Sequence, residues 1–213
     1  MPTYQRPVTP ASLSAPLQAL VREVVPDGTP VYVDVQAIEG APSDECFVLV
    51  PEQVKRNGGD AVIGWSLWEW PSLFVEAEFH SVWRAPNDSL LDVSPKKSPT
   101  QKILFVPDPS RTYEGRQVNN VRKPLSRSPA ILEFLRASDA EYEFMNRGER
   151  AGQHGHIKVK DAEAEEYTAI QRTKAHSFLE MLRLKPSVDA YDPCLCGSGQ
   201  KVKWCHGVAH YAV

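Results

Sequence analysis

At 213 residues, with 42% apolar and 24% charged residues, the chain has enough material for one sizeable core plus a small appendage. A net charge of −3 argues against nucleic acid as an obligatory partner. No apolar run nears the roughly 20 residues of a bilayer span, and Met1-Pro2-Thr3-Tyr4-Gln5-Arg6 lacks the apolar centre of a secretory leader.

Residues 1–13 read as a loose, proline-containing arm. Ser14 can cap a helix with Pro16 in its first turn, and Leu17, Leu20, Val21 and Val24 then form an apolar stripe. After the Pro26-Asp27-Gly28 turn, Val31, Val33 and Val35 alternate with polar residues, a strand pattern. Cys46-Phe47-Val48-Leu49-Val50 fits either a strand or a first helical turn. Pro51 is costly deep inside a helix, so a helix is expected from about Pro51 to Asn57, ended by Gly58-Gly59. Strands are expected over 61–70, 73–84, 90–94 and 103–106, joined as a β-meander, with Lys96-Lys97-Ser98-Pro99 a solvated connection. Residues 107–127 read as a long Arg-rich loop. Helices are expected from Ser128-Pro129 to Asn146 and from Asp161 to Leu184, and Pro186 stops the second. The fold class is therefore α+β: an antiparallel meander sheet with flanking helices over 1–127, a helical section over 128–187, and a small module over 188–213.

That module carries the most specific pattern in the chain. Cys194, Cys196, Cys205 and His206 offer three thiolates and one imidazole within thirteen residues, the closed ligand set of a tetrahedral structural zinc. Gly197-Ser198-Gly199 allows the sharp turn between the two arms. The stretch resembles the SEC-C motif, the zinc-binding tail first known from the translocation ATPase SecA and found on many unrelated bacterial proteins. Pro193, Cys194, Cys196, Gly197, Ser198, Gly199, Lys201, Lys203, Cys205, His206 and Gly207 carry the resemblance. Leu195 and Gln200 depart from it but supply no ligand. A segment this small has no core of its own, so one structural Zn²⁺ and folding should be coupled. The resemblance implies protein or ribosome contacts, with Lys201, Lys203 and Trp204 as the exposed candidates. Thiolate ligands imply a reducing, cytoplasmic setting. His154 and His156 bracket Gly155, but no further ligands for a second metal are visible there.

The fourth cysteine opens a second line. Period two places Leu73, Val75, Ala77, Phe79, Ser81 and Trp83 on one strand face, and Glu76, Glu78, His80, Val82 and Arg84 on the other, polar side away from the core. If the following turn is centred on Asn87, His80 pairs with Ser94 and Asp92 with Val82, making Asp92 a diagonal neighbour of His80 at about 7–8 Å. A one-residue slip would send Asp92 to the opposite face. Cys46, then Glu78-Phe79-His80-Ser81-Val82-Trp83, then Leu91-Asp92-Val93-Ser94-Pro95 resembles the cysteine, histidine and aspartate segments of transglutaminase-like thiol enzymes, a branch of the papain-like group. The resemblance implies Cys46 as nucleophile, His80 as base and Asp92 as its orienter, acting on an amide or thioester carbonyl. The Cys46 backbone N–H and the Gln36 side chain are the candidate oxyanion donors. Cys46 as a small buried hydrophobe and His80 as a surface ion-pair partner remain open. Trp65, Trp68 and Trp70 fit either core or a binding groove, and Arg111, Arg116, Arg122 and Arg127 either phosphate contact or solvent.

Three functions remain in view. One is a thiol hydrolase or transferase whose zinc tail recruits a protein partner. The second is a non-catalytic, zinc-dependent adaptor, and the third an RNA- or ribosome-associated binder.

Overall fold

The protein was analysed as a computed structural model that describes residues 7–97, 100–153, 157–184, 190–191, 194, 200–205 and 207. Its first helix, α1 (Ala15–Val24), buries Leu17, Leu20 and Val21, the stripe that its spacing dictates. Then follow β1 (Val31–Val35), α2 (Cys46–Asn57), β2 (Asp60–Trp70), β3 (Phe74–Arg84), β4 (Leu90–Asp92), β5 (Lys102–Pro107), β6 (Val121–Pro124), α3 (Pro129–Met145) and α4 (Ala164–Leu182). The class is mixed α+β.

The sheet is a closed barrel and not the expected meander. Strand order runs β2-β5-β1-β4-β3, and β3 pairs back onto β2 along its whole length, from Asp60↔Arg84 to Trp70↔Phe74. β1 lies between β5, antiparallel, and β4, parallel. β6 joins the start of β3 and replaces part of the loop expected over 107–127. The composition of β5 explains the closure. Ile103, Leu104, Phe105 and Val106 are all buried, so both strand faces need cover, and a one-sided meander would leave one of them wet.

The lumen is identifiable from who meets there. Val33 and Val35 of β1, Val62 and Trp68 of β2, Val82 of β3, Leu90 of β4, and Ile103 and Phe105 of β5 form one apolar cluster, drawn from all five barrel strands. The opposite face of β2, β3 and β5 is covered by α1 through Trp65, Leu67, Val75, Ala77, Phe79, Leu104 and Val106. The second prediction to fail follows directly. The β3 face read as polar and outward, carrying Glu76, Glu78, His80 and Val82, is the lumen face. Gly64 lies opposite His80, and a Cβ there would stand 2.2 Å from the Val106 carbonyl oxygen and 2.7 Å from the Phe105 ring. Only glycine lets β5 cross β2 so closely.

The helical section shares a core with the barrel. Leu73 and Phe74, at the β2–β3 turn, pack with Ile131, Phe134 and Leu135 of α3 and Met181 of α4. Glu141 ties the two helices by accepting from Gln171 and Lys174. Among the described residues no helix is long and apolar enough to cross a membrane.

Candidate functional site

α2 starts at Cys46 itself, five residues before the expected position. Pro51 sits inside the helix, where it deprives the Phe47 carbonyl of a donor. Packing overrides that local cost: Leu49 and Val50, one turn into the helix, are buried against Val93 with Ile38, Ala41, Val54 and Trp83 around them. The first α-helical bond, Leu49 N–H to Glu45 O at 2.9 Å, is already made before Pro51. At the other end the Trp83 indole donates to the Gly58 carbonyl at 2.9 Å. The loop into the helix is held by Ile38 N–H donating to Val93 O at 3.0 Å and by a Lys97–Asp44 ion pair. Asp44 takes a left-handed conformation, φ 65°, which turns the chain so that Cys46 opens the helix.

The β3–β4 turn decides the histidine–aspartate geometry. Ala85 N–H donates to Ser89 O and Asp88 N–H to Ala85 O, both at 2.9 Å, with Asp88 at φ 65°. This is a tight turn followed by a left-handed residue. It sets the pairs Trp83↔Leu91 and Arg84↔Leu90, centred on Asn87 as the sequence suggested. Asp92 and His80 therefore share the lumen face, and Asp92 Oδ2 lies 3.0 Å from His80 Nε2. Both are buried, His80 to 3% exposure and Asp92 to 0%. A surface ion-pair role for His80 is thereby removed.

Asp92 has two further partners. Its Oδ1 accepts the Ser94 backbone N–H at 3.0 Å, and its Oδ2 lies 2.5 Å from Lys96 Nζ, which is also 3.3 Å from His80 Nε2. Lys96 was expected in a solvated connection, yet its side chain is only 12% exposed. Its sequence position gives no periodic signal, because it lies past the end of β4 in irregular chain.

The charges set one another. Burial disfavours the His80 imidazolium, but the negative charges of Cys46 and Asp92, with the Asp92 hydrogen bond, outweigh it and the repulsion from Lys96. The His80 pKa is pushed up to about 10. Burial likewise opposes ionisation of Asp92, and the His80 and Lys96 cations reverse this, holding the carboxyl well below the usual carboxylate range. Tyr113 stacks on Phe47, the residue after Cys46, with ring centres 4.0 Å apart. Burial and the negative charges of Cys46 and Glu45 raise its phenol pKa.

Cys46 and His80 line one cavity of ≈ 930 Å³, whose wall also includes Trp68, Trp70, Glu78, Phe79, Ser94, Lys96 and Tyr113. The structure thus sets Cys46 and His80 on one cavity wall, with Asp92 hydrogen-bonded to His80. Gln36 does not join them. It is exposed, outside the cavity wall, and its backbone N–H donates to Asp92 O at 2.8 Å. Trp65 is core, whereas Trp68 and Trp70 do line the cavity. Of the four arginines, Arg122 is ion-paired with Glu76 at 2.7 Å, and Arg111 lies over the Trp65 ring with its side chain 49% exposed.

At the other end of the chain, Cys196, His206, His154 and His156 lie outside the described residues. Cys194 is buried and its N–H donates to Gln200 O at 2.7 Å. Val202–Trp204 forms a 3₁₀ turn with Val202 fully buried, and Cys205 follows it; Cys194 and Cys205 are not disulfide-bonded. The thiols of Cys194 and Cys205 are the soft donors that a zinc site takes. Trp204 is 62% exposed, with Lys201 and Lys203 each within 6 Å of its ring centre. No protein-family model, curated protein or solved structure matches the chain.

Proposed function

We propose that the chain is a thiol hydrolase or transferase acting on amide or thioester carbonyls, with a zinc-stabilised tail that recruits a protein partner. The single observation that carries the reading is a buried His80, hydrogen-bonded to Asp92, that lines one cavity with the cysteine opening α2. In this reading the Cys46 thiolate adds to the carbonyl carbon. The backbone N–H of Cys46, at the first position of α2, would face the developing oxyanion. The tetrahedral adduct collapses with loss of the amine or thiol, and His80 supplies the proton that the leaving group needs. Water, or an amine in a transferase, then attacks the thioester on Cys46 while His80 takes its proton. Asp92 fixes the imidazole orientation and its charge.

One structural zinc would be held by Cys194, Cys196, Cys205 and His206, far from any role in bond breaking, and Lys201, Lys203 and Trp204 would form the contact surface. The exposed aromatic–lysine cluster also supports the adaptor reading, in which the cavity does no chemistry.

Alkylation separates the two. Iodoacetamide at neutral pH, read by peptide mass spectrometry, should label Cys46 rapidly in the wild type and about 100-fold more slowly in His80→Ala. Equal rates in both proteins would remove the enzyme reading and leave the adaptor.

A further inference from the structure

The cavity wall carries five carboxylates, Asp44, Glu45, Glu76, Glu78 and Glu141. Three have cations of their own: Asp44 with Lys97, Glu76 with Arg122, and Glu141 with Lys174. Glu78 differs. Its Oε2 accepts the Trp68 indole N–H at 2.8 Å, and no lysine or arginine among the described residues pairs with it. The indole fixes the carboxylate in one orientation without cancelling its charge.

Its position is informative. Glu78 lies two residues before His80 on the lumen face of β3, about 7 Å away along the strand. Trp68, opposite Glu76, is its diagonal neighbour across the hairpin, and Trp70 and Phe74 extend an aromatic wall along the same cavity. A half-buried anion among aromatic rings favours a cation, which gains both the charge pair and the ring faces. At Glu78 itself an anionic group would be repelled, and a neutral one would leave the charge uncompensated.

We propose that Glu78 and Trp68 form a subsite for a basic side chain, so that the acyl donor is a peptide amide with arginine or lysine next to the scissile bond. This rests on the thiol-enzyme reading of Cys46 and His80. Cys46 sulfur forms a bond to the carbonyl carbon of the basic residue, the C–N bond breaks, and the His80 proton leaves with the amine. Water then cleaves the thioester, returning the thiol and releasing the peptide acid. The separation between Glu78 and His80 along the strand matches the reach of an extended lysine or arginine side chain.

The test compares N-acetyl-arginine methylamide with N-acetyl-citrulline methylamide, which has nearly the same shape and no charge. Each is added at about 1 mM, where even a weak complex is populated, to the full-length protein, and the rate of iodoacetamide labelling at Cys46 is read. The arginine amide should slow labelling at least about threefold more than the citrulline amide, and Glu78→Gln should erase the difference. Equal protection by the two amides, or none by either, in a wild type whose Cys46 still labels rapidly and in a His80-dependent way, overturns the subsite while leaving the thiol reading intact. Slow labelling that ignores His80→Ala removes both. The ligand comparison on the wild type stands even if Glu78→Gln fails to fold.

Discussion

Replacing Asp92 with asparagine keeps the shape of the side chain and removes its charge, which isolates what that charge does. In the wild type one carboxylate with no solvent exposure accepts from Ser94 N–H, His80 and Lys96. Without it, two cationic groups face each other 3.3 Å apart. At an effective dielectric of about 20 their repulsion is about 5 kcal/mol. His80 relieves this by losing its proton, so the cost appears partly as stability and partly as chemistry. We expect Asp92→Asn to lose about 3–5 kcal/mol, the usual penalty for breaking a buried pair on one side. With a urea dependence of about 2 kcal/mol per molar, the unfolding midpoint should fall by about 2 M. Cys46 alkylation at pH 7 should slow as well, since a neutral imidazole no longer favours the thiolate. The pH dependence has a fixed sign. Asp92 is held below its unfolded value, so its stabilisation is present above about pH 3.9 and fades as pH falls below that. His80 is held up to about 10, so its share is present below about 6.5 and is lost as pH rises from there through about 10. Wild type and variant should differ most between about pH 4 and 6.5 and converge in strong acid. A variant as stable as wild type at pH 6, with unchanged alkylation, would refute the proposed coupling.

Gly64→Ala should destabilise the barrel by about 2–4 kcal/mol in the same urea assay, because the added methyl meets backbone and ring at 2.2 and 2.7 Å; a neutral result would mean that β2 and β5 do not cross as described. The combined change of His80→Leu, Asp92→Leu and Lys96→Met should be within about 1 kcal/mol of wild type or more stable, yet leave Cys46 slow to alkylate, since apolar replacement of a whole buried charge cluster is commonly tolerated. A collapse of stability in that variant would mark the cluster as structural. Purified protein should carry one zinc per chain by elemental analysis, and a chelator should alter Trp204 fluorescence while the barrel's thermal transition stays in place. Metal-free protein would end the zinc proposal.

Much of the local structure was legible because it is locally determined. Val31–Val35 follows from strict alternation, and the turn centred on Asn87 fixed the register that brings His80 and Asp92 together. What alternation cannot tell is which face of a strand is inside. Glu76, Glu78 and His80 look like a solvent face until β2 is paired along all of β3 and the sheet closes around them, and closure is a non-local fact. Pro51 misled for a related reason. The rule against proline in helices is local, and the burial of Leu49 and Val50 against Val93 outweighs it. Lys96 was hidden because nothing in an irregular segment announces that a side chain turns back into a barrel.

The lumen itself is what favours chemistry over a purely structural reading. One part of it is filled by Val33, Val82, Ile103 and Phe105, which is how a small barrel is expected to be packed. Among them the same strand faces present Glu78, His80 and Asp92, and Glu78 and His80 line the cavity that Cys46, the first residue of α2, also lines. Apolar side chains could have filled this space at lower desolvation cost, so folding alone does not call for these charges. On the proposed thiol-enzyme reading, a buried carboxylate holding an imidazole in its charged form would answer a chemical requirement instead, keeping a proton available for a leaving group.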